Sequence, residues 1–527
     1  MHRVLVCDDV APEGIAILEK VAQVEAGGNA VAEGALAKLI AGADALIVRS
    51  ATRVTRPVLE AGANLRVVAR AGVGVDNIDL EAATERGIVV VNSPEGNTIA
   101  AAEHTIALIM SLQRRIPQAH ASMVTGHWDR KSYMGVQVWQ KCLGLVGCGK
   151  VGGEVARRAK GLGMEVIVYD PYLAETRAAR LGVRLLTLEE LLRAADVVSI
   201  HAARQRETVG LIGASELALM KPSAVLVNTA RGGIVDEQAL AAALGEGRIA
   251  GAALDVFAEE GHAPAHLIGL PNIVLTPHLG ASTTEAQVAV AVDVAEQVVE
   301  VLEGRIARSP VNVPAVSPET LAAVGPYIPL VTHIGQLHSA LLRGPITRTV
   351  LAFKGELAEV DVTPLKLYFL VGLLSPKLDQ PVNFVNAPHL AEQWGVQIVE
   401  SRGEATEGYA SLFSAMVESG GREVSISGTE FGTNDVRIVE MNGYRLDVRP
   451  EGCVLFIWHR DQPGVIGLVG TLLGNSGVNI AGMQVGRSSI GGPAVMALLL
   501  DDPLAESLVA AIRGLPGIED CLMMDFG

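Results

Sequence analysis

Cysteine is scarce in this 527-residue chain, and Cys7, Cys142, Cys148, Cys453 and Cys521 are scattered, odd in number and without a CxxC pair. That excludes a disulfide framework or thiolate metal centre and points to buried thiols in a reducing compartment. No third ligand stands near His262 and His266, and Pro264 lies between them, so no metal site is expected. Positive charge is outnumbered, with 42 Lys and Arg against 58 Asp and Glu. The net charge of −16 argues against a nucleic-acid surface, because phosphate binding needs clustered cations, yet a local basic pocket for a small anion stays open. No uncharged apolar run reaches 18 residues, so nothing is expected to span a membrane. The N-terminus turns polar at Asp8, which suits a strand start and not a secretory signal, and a cytoplasmic location is expected.

What is abundant is apolar residues, at 49%, and glycine, at 57 residues, a mixture that fits α/β layers with many tight turns. The length suggests three or four domains at about 150 residues each. Residues 1–95 alternate short apolar strands (4–7, 45–48, 67–69, 88–91) with helical stretches such as 13–21 and 33–41, a small βαβ domain. A helical segment over 98–125 follows. A second βαβ series has strands at 143–146, 165–169, 197–200, 224–227, 251–254 and 273–275, enough for a doubly wound parallel sheet. The next helix, 284–302, spaces Val288, Val292, Ala295, Val299 and Leu302 to lie on a sheet and lead back to the first domain. Pro310, Pro314 and Pro318 mark a linker. Residues 315–450 are mixed α+β, and 453–527 read strand, helix, strand, strand, helix, strand, the ferredoxin-like order.

Gly147-Cys148-Gly149-Lys150-Val151-Gly152 is a G-x-G-x-x-G directly after an apolar strand and before a helix expected over 154–161. Gly147 permits a tight turn, Gly149 lets a pyrophosphate approach the backbone, and Gly152 allows the helix to pack on the strand. The helix N-terminus offers free N–H groups to phosphates. Asp170 ends the next strand 18 residues beyond Gly152, where a carboxylate accepts from ribose hydroxyls and repels a 2′-phosphate. NAD is the expected cofactor.

Arg231, Glu260 and His278 each lie just past the end of an expected parallel strand, where open α/β sheets place their ligands. A guanidinium clamps a carboxylate bidentately, and a carboxylate beside an imidazole equips it to move protons near neutrality. Singly, these are also a surface arginine, a capping carboxylate and a loop histidine. Together, downstream of the nucleotide motif, they suit the steps of carbonyl reduction.

The run Arg70-Ala71-Gly72-Val73-Gly74-Val75-Asp76-Asn77-Ile78-Asp79, the segment 228–237 and Pro277-His278-Leu279-Gly280-Ala281-Ser282-Thr283 resemble the D-2-hydroxyacid dehydrogenase family. Gly428-Thr429-Glu430-Phe431-Gly432 and Gly443-Tyr444-Arg445-Leu446-Asp447 resemble the intervening domain of its long-form D-3-phosphoglycerate dehydrogenases, and the last 75 residues an ACT domain. The resemblance implies NAD-dependent oxidation of D-3-phosphoglycerate at the entry to serine synthesis. It implies Arg231, Glu260 and His278 as the catalytic trio, and substrate contacts from Arg49, Arg70, Val73 and Gly74. It also implies cofactor contacts from Lys150, Val151, Asp170, Thr229, Ala230 and Asp255. The domains it implies are a discontinuous flavodoxin-like substrate domain (1–95 and 284–310), an NAD-binding Rossmann domain (96–283), an intervening regulatory domain (315–450) and the ACT domain (453–527). Arg49 and Arg70 equally suit ion pairs with neighbouring carboxylates. Two departures stand out: Gly261 follows the expected glutamate where the family commonly has proline, and Ala203-Arg204 replaces a usual proline and leucine. Reduction of hydroxypyruvate or 2-oxoglutarate, or NAD sensing without chemistry, are the competing functions.

Near the C-terminus, His459-Arg460-Asp461-Gln462-Pro463-Gly464 leads from a strand into a helix over 465–475. The helix N-terminus can receive a carboxylate, Asp461 can accept from an ammonium group, and Asn479 offers a donor and an acceptor. His459, Asp461 and Asn479 are thus candidates for binding L-serine, with Asp461 as a mere helix cap the alternative. The ACT resemblance places such a site between paired subunits, so a homodimer or homotetramer is expected.

Overall fold

The computed structural model describes residues 1–527 apart from 30, 263, 315, 405–407, 433 and 434. The first sheet comprises β1 (His2–Cys7), β2 (Ala22–Gly28), β3 (Ala45–Val48), β4 (Val67–Arg70) and β5 (Val89–Asn92), in the order β2-β1-β3-β4-β5. All its pairings are parallel, the flavodoxin-like arrangement. The interior strands β3 and β4 carry continuous buried apolar runs, Ala45–Val48 and Val67–Ala69, as a parallel sheet covered on both faces does. β2 was not expected. It occupies residues adjoining the predicted helix 13–21, which ends at Leu18 instead, and Arg3 of β1 pins it through Glu25 at 2.7 Å.

The second sheet comprises β6 (Cys142–Val146), β7 (Glu165–Tyr169), β8 (Arg184–Leu185), β9 (Val197–Ile200), β10 (Val225–Asn228), β11 (Gly251–Leu254) and β12 (Ile273–Leu275). Its order, β12-β11-β10-β9-β6-β7-β8, is all parallel and doubly wound, with the two-residue β8 added to the six expected strands. The order reverses between β6 and β9, which opens a crevice at the carboxyl ends of the strands.

Two long helices join these sheets. The outgoing one spans Thr98–Gln113, and the expected continuation to 125 is broken. Arg115 takes a left-handed φ of 51° and a separate helix Ile116–Val124 starts with Pro117, which cannot donate to a continuing helix. The returning helix, Thr284–Leu302, has the expected bounds and buries part of the expected face, Ala295 and Leu302 in the first sheet's core with Val299 packed beside them. Val290, Val294, Val298 and Val301 enter the first sheet's core, whereas Val288 and Val292 line an outer groove. Valine occurs nearly all round this helix, so periodicity alone could not choose the face.

The third sheet comprises β13 (Ile346–Gly355), β14 (Gln397–Gly403), β15 (Ser411–Ser419), β16 (Arg422–Glu430), β17 (Val436–Met441) and β18 (Tyr444–Val448), in the order β14-β13-β15-β16-β17-β18. It docks on the first sheet's layer: Asn383 Nδ2 donates to the Gly87 carbonyl at 2.7 Å and Val385 enters that core. The fourth sheet comprises β19 (Cys453–Arg460), β20 (Ile480–Arg487), β21 (Pro493–Leu500) and β22 (Ile518–Asp525), in the order β20-β21-β19-β22 and antiparallel. Leu455, Ile457, Met496 and Leu498 face its two helices, Val465–Asn475 and Glu506–Arg513. Val454, Phe456, Val495 and Ala497 share a core with Phe353 and Phe413 of the third sheet. The last two layers are therefore packed as one body, not strung as loose appendages. Among the described residues, no helix is long and apolar enough to cross a membrane.

Candidate active site

The glycine motif sits at the order reversal. Gly147 has φ 91°, and a Cβ there would lie 2.8 Å from the His201 carbonyl; a Cβ on Gly152 would lie 2.6 Å from Gly147 O. Nothing lies within 4 Å of the corresponding point on Gly149, so that backbone is open to a ligand. The helix Lys150–Gly161 begins here, four residues earlier than expected, with Gly149 as its N-cap. Asp170 Oδ2 accepts from Cys148 N at 2.8 Å and Oδ1 from Tyr172 N at 2.9 Å, which fixes the carboxylate beside the loop. These features fit a dinucleotide. Val151 packs against the sheet's core, Thr229 Oγ1 bonds Thr105 Oγ1 at 2.7 Å, and Lys150 pairs with Glu95 of the β5-to-helix crossing at 2.7 Å. His201, past β9, is pushed down to about 4 by burial and bonds Ser199 Oγ at 2.9 Å, so it stays neutral at physiological pH.

Arg231 follows β10 in a turn held by Asn228, whose Nδ2 donates to Arg231 O at 3.0 Å and whose Oδ1 accepts from Ala230 N at 3.0 Å. The Arg231 Nη1 donates to Ala230 O at 2.7 Å, and Nε lies 3.6 Å from Asp76. A Cβ on Gly74 would meet Arg231 Nη2 at 2.6 Å, so the guanidinium of one sheet lies against the backbone of the other. Val73 is held there by Asn92, whose Nδ2 donates to its carbonyl at 2.5 Å.

Arg70, at the end of β4, folds over Gly72, where any Cβ would collide with its guanidinium. Burial, then the nearby charges of Arg231 and Arg49, lower its pKa to about 10, against Asp76 and Glu260. Its Nε is buried without a partner. Arg49 donates through Nη1 to Asp9 O at 3.0 Å, and Asn77 Nδ2 donates to its carbonyl at 2.7 Å. Three guanidiniums thus share one electrostatic neighbourhood, as an anionic substrate requires. The carboxylates that act on Arg70 are Asp76 and Glu260.

His278 follows β12 with a left-handed φ of 56°. Its Nδ1 lies 2.6 Å from Glu260 Oε1, and both side chains are about half exposed. A carboxylate only accepts, so Nδ1 carries the hydrogen and the Nε2 lone pair is left for a substrate proton. Asp255, a cofactor candidate, directly follows β11. It is 0% exposed, and its oxygens accept from Thr276 Oγ1 at 2.5 Å, Leu279 N at 2.8 Å, Gly280 N at 2.9 Å and His104 Nε2 at 3.2 Å. These bonds hold the turn that carries His278. The residues not singled out from sequence, Asp76, Asn77, Asn92, Asn228 and His104, orient other groups. Asn92 and Asn228 are the last residues of β5 and β10, a signal that could have found them.

Residues 106–280 match the family model described as D-isomer specific 2-hydroxyacid dehydrogenase, NAD binding domain. Residues 323–442 match the D-3-phosphoglycerate dehydrogenase intervening domain, and 454–517 match the ACT domain. The chain is 44% identical over 521 residues to D-3-phosphoglycerate dehydrogenase of Synechocystis, covering 99% of this chain and 94% of that protein. It is 43% identical to the enzyme of that name from Methanocaldococcus jannaschii, with 100% of each chain covered. The chain belongs to the D-3-phosphoglycerate dehydrogenase family. Among solved structures, a Thermus thermophilus protein aligns with a TM-score of 0.55 at 37% identity, covering 59% of this chain and 99% of that one. D-lactate dehydrogenase from Escherichia coli aligns at 0.53 and 27%, covering 59% of this chain and 99% of that one. As a member of this family the chain is an NAD-dependent oxidoreductase.

In the ACT domain each of the three effector candidates has its own engagement within the chain. His459 is 2% exposed, its Nδ1 donating to Arg460 O at 2.9 Å and its Nε2 without a partner. Asp461 accepts from Arg487 at 2.9 Å and Gly491 N at 3.3 Å, and Arg487 holds its carboxyl below the usual range. Asn479 Nδ2 donates to Asp501 at 2.8 Å. Of the two departures, Gly261 has φ 100° with nothing near it, and Arg204 lies over Gly233, beside Arg231.

Proposed function

We propose that Arg231, Glu260 and His278 carry the oxidation of D-3-phosphoglycerate to 3-phosphohydroxypyruvate. The observation that carries this reading is the 2.6 Å His278–Glu260 pair on the same crevice as three arginines. Arg231 binds the C1 carboxylate and the C2 oxygen. His278 Nε2 accepts the hydroxyl proton, and Glu260 holds the imidazole's tautomer and stabilises the cation formed. Arg49 and Arg70, with the Val73 and Gly74 backbone, take the phosphate end. Bound at the glycine loop, NAD supplies the acceptor for the hydride that leaves C2 as its C–O bond becomes a carbonyl. Assay of the purified chain with phosphohydroxypyruvate, hydroxypyruvate and 2-oxoglutarate tests this: preference for either unphosphorylated acid would overturn the substrate assignment.

The division into a substrate domain (1–95 with 284–310), an NAD domain (96–283), an intervening domain (315–450) and an ACT domain (453–527) goes with this reading. Packing of the returning helix on the first sheet supports it. Lys150, Val151, Thr229 and Ala230 line the cofactor's path beside the glycine loop. Asp170→Ala weakens NAD and narrows its preference over NADP, because the ribose acceptor goes and the repulsion of a 2′-phosphate is relieved. Titration of both dinucleotides against wild type and variant checks this; a wild-type preference for NADP would overturn it.

L-serine is the proposed effector of the ACT domain, acting through the intervening domain at a site completed by a second subunit. Asp461, His459 and Asn479 contribute to it, with Asp461 exchanging Arg487 for the ammonium group. Self-association is supported by Trp128 and Met134, both 79% exposed, and Trp139, 56% exposed, on one segment. The five free thiols suit the cytoplasm. Serine inhibits wild type and inhibits Asp461→Ala more weakly; equal inhibition of both places the effector elsewhere. The point variant is the informative one, since truncation near 450 would strip the core shared by the last two layers.

A further inference from the structure

His104 lies on the outgoing helix Thr98–Gln113, away from the groups assigned to substrate and cofactor. Its Nε2 stands 3.2 Å from Asp255 Oδ1 and 3.2 Å from Thr276 Oγ1. The Thr276 hydroxyl donates to that same Asp255 oxygen at 2.5 Å. A buried carboxylate only accepts, so His104 presents Nε2–H to it. Burial alone would raise the Asp255 carboxyl, but the hydrogen bonds from His104 and Thr276 outweigh that and hold it below its usual range.

The carboxylate in turn accepts from Leu279 N at 2.8 Å and Gly280 N at 2.9 Å, and the Asp255 carbonyl accepts from His278 N at 2.9 Å. His278 is thus bracketed by bonds to one residue. Its φ of 56° is a conformation that persists in an L-residue only where the surroundings impose it. Without a fixed Asp255, the turn is free to relax toward ordinary backbone angles and carry the imidazole away from Glu260. The helix that holds His104 is also the one by which the chain crosses from the first sheet to the second, so the clamp ties the crossing to the turn.

We propose that His104 is a positioning residue: together with Thr276 it fixes the Asp255 carboxylate, which holds the left-handed turn that aims His278. The inference rests on reading His278 as the acid–base group. It concerns alignment only; His104 touches neither substrate nor transferred proton.

The test uses the full chain with His104→Leu, His104→Gln, Thr276→Val and the double variant His104→Leu/Thr276→Val. His104→Leu lowers kcat by roughly 10- to 100-fold, the scale of a misplaced reacting group, with KM and the NAD dissociation constant within about twofold of wild type. His104→Gln keeps an N–H donor and restores most of the rate. The double variant loses less than the product of the two singles, because both groups serve one oxygen. In the apoprotein, hydrogen exchange measured by mass spectrometry shows the 276–282 peptide deprotected in His104→Leu and protected in His104→Gln, with the rest of the second sheet unchanged. Equal behaviour of the Leu and Gln variants, or a lowered Tm with deprotection across the whole sheet, would overturn the proposal. A silent His104→Leu beside an inactive His278→Asn defeats this inference alone. Near-full turnover by His278→Asn defeats the acid–base reading instead.

Discussion

His278→Asn lowers kcat by roughly 10²–10⁴, the usual worth of a positioned acid–base group, and leaves NAD affinity unchanged. The choice of asparagine matters. His278 sits at φ 56°, where alanine would add backbone strain to the loss of the imidazole, whereas asparagine is enriched in this region. The variant thus separates chemistry from folding. It removes the Nε2 lone pair that faces away from Glu260, and the neighbouring imidazoles are engaged elsewhere. His201 is on the opposite side of the glycine loop's turn, bonded to Ser199, and burial keeps it neutral. His104 is committed to Asp255. Steady-state kinetics with an NAD titration decide the matter, and a variant with near-full turnover would remove His278 from the mechanism.

How far the sequence could be read depended on whether each signal was local. The parallel strands β3, β4, β6, β9 and β10 are buried on both faces, so continuous apolar runs announce them. β2 lies at an edge, with alternating Gln23, Glu25 and Gly27-Gly28, and carries no such run. β8 is only two residues long and owes its place to pairing with β7. The buried side of the helix Thr284–Leu302 was a tertiary decision among several valines. At the other end of the chain, Cys453-Val454-Leu455-Phe456-Ile457 is apolar at every position, which hints at burial on both faces. Nothing local says that the second face belongs to the third sheet.

The same distinction runs through the site. Gly147, Gly149 and Gly152 act on backbone within a few residues of themselves, and their spacing states their purpose. Arg231, Glu260 and His278 are marked by their position past strand ends. Asp255 shares that position, and what no local signal announces is the set of donors that the fold brings to it. One of them, His104, is 151 residues away on a helix where a lone histidine attracts no notice. Asp461 is similar: its engagement with Arg487, 26 residues on, depends on β19 and β20 flanking the same strand.

Arg231→Gln lowers kcat/KM by roughly 10³, the upper range for loss of a donor that stabilises charge at a reacting oxygen. Most of the loss lies in kcat, because Arg70 and Arg49 still bind the far end of the substrate, and a contact that only anchors would raise KM alone. The guanidinium is suited to the task by its fork. With Nη1 committed to Ala230 O and Nη2 beside Gly74, the planar group is held at a fixed angle between the two sheets. A lysine at this position would keep the charge but not two parallel donors. Burial is the first cause that lowers Arg70, ahead of its repulsion by Arg231, so Arg70 and Arg49 keep their charges at the phosphate end in this variant. The Tm guards against a folding artefact, since Asn228 holds this turn through backbone atoms that glutamine retains. Wild-type kcat with a raised KM would recast Arg231 as an anchor and move the stabilisation of the C2 oxygen to another group.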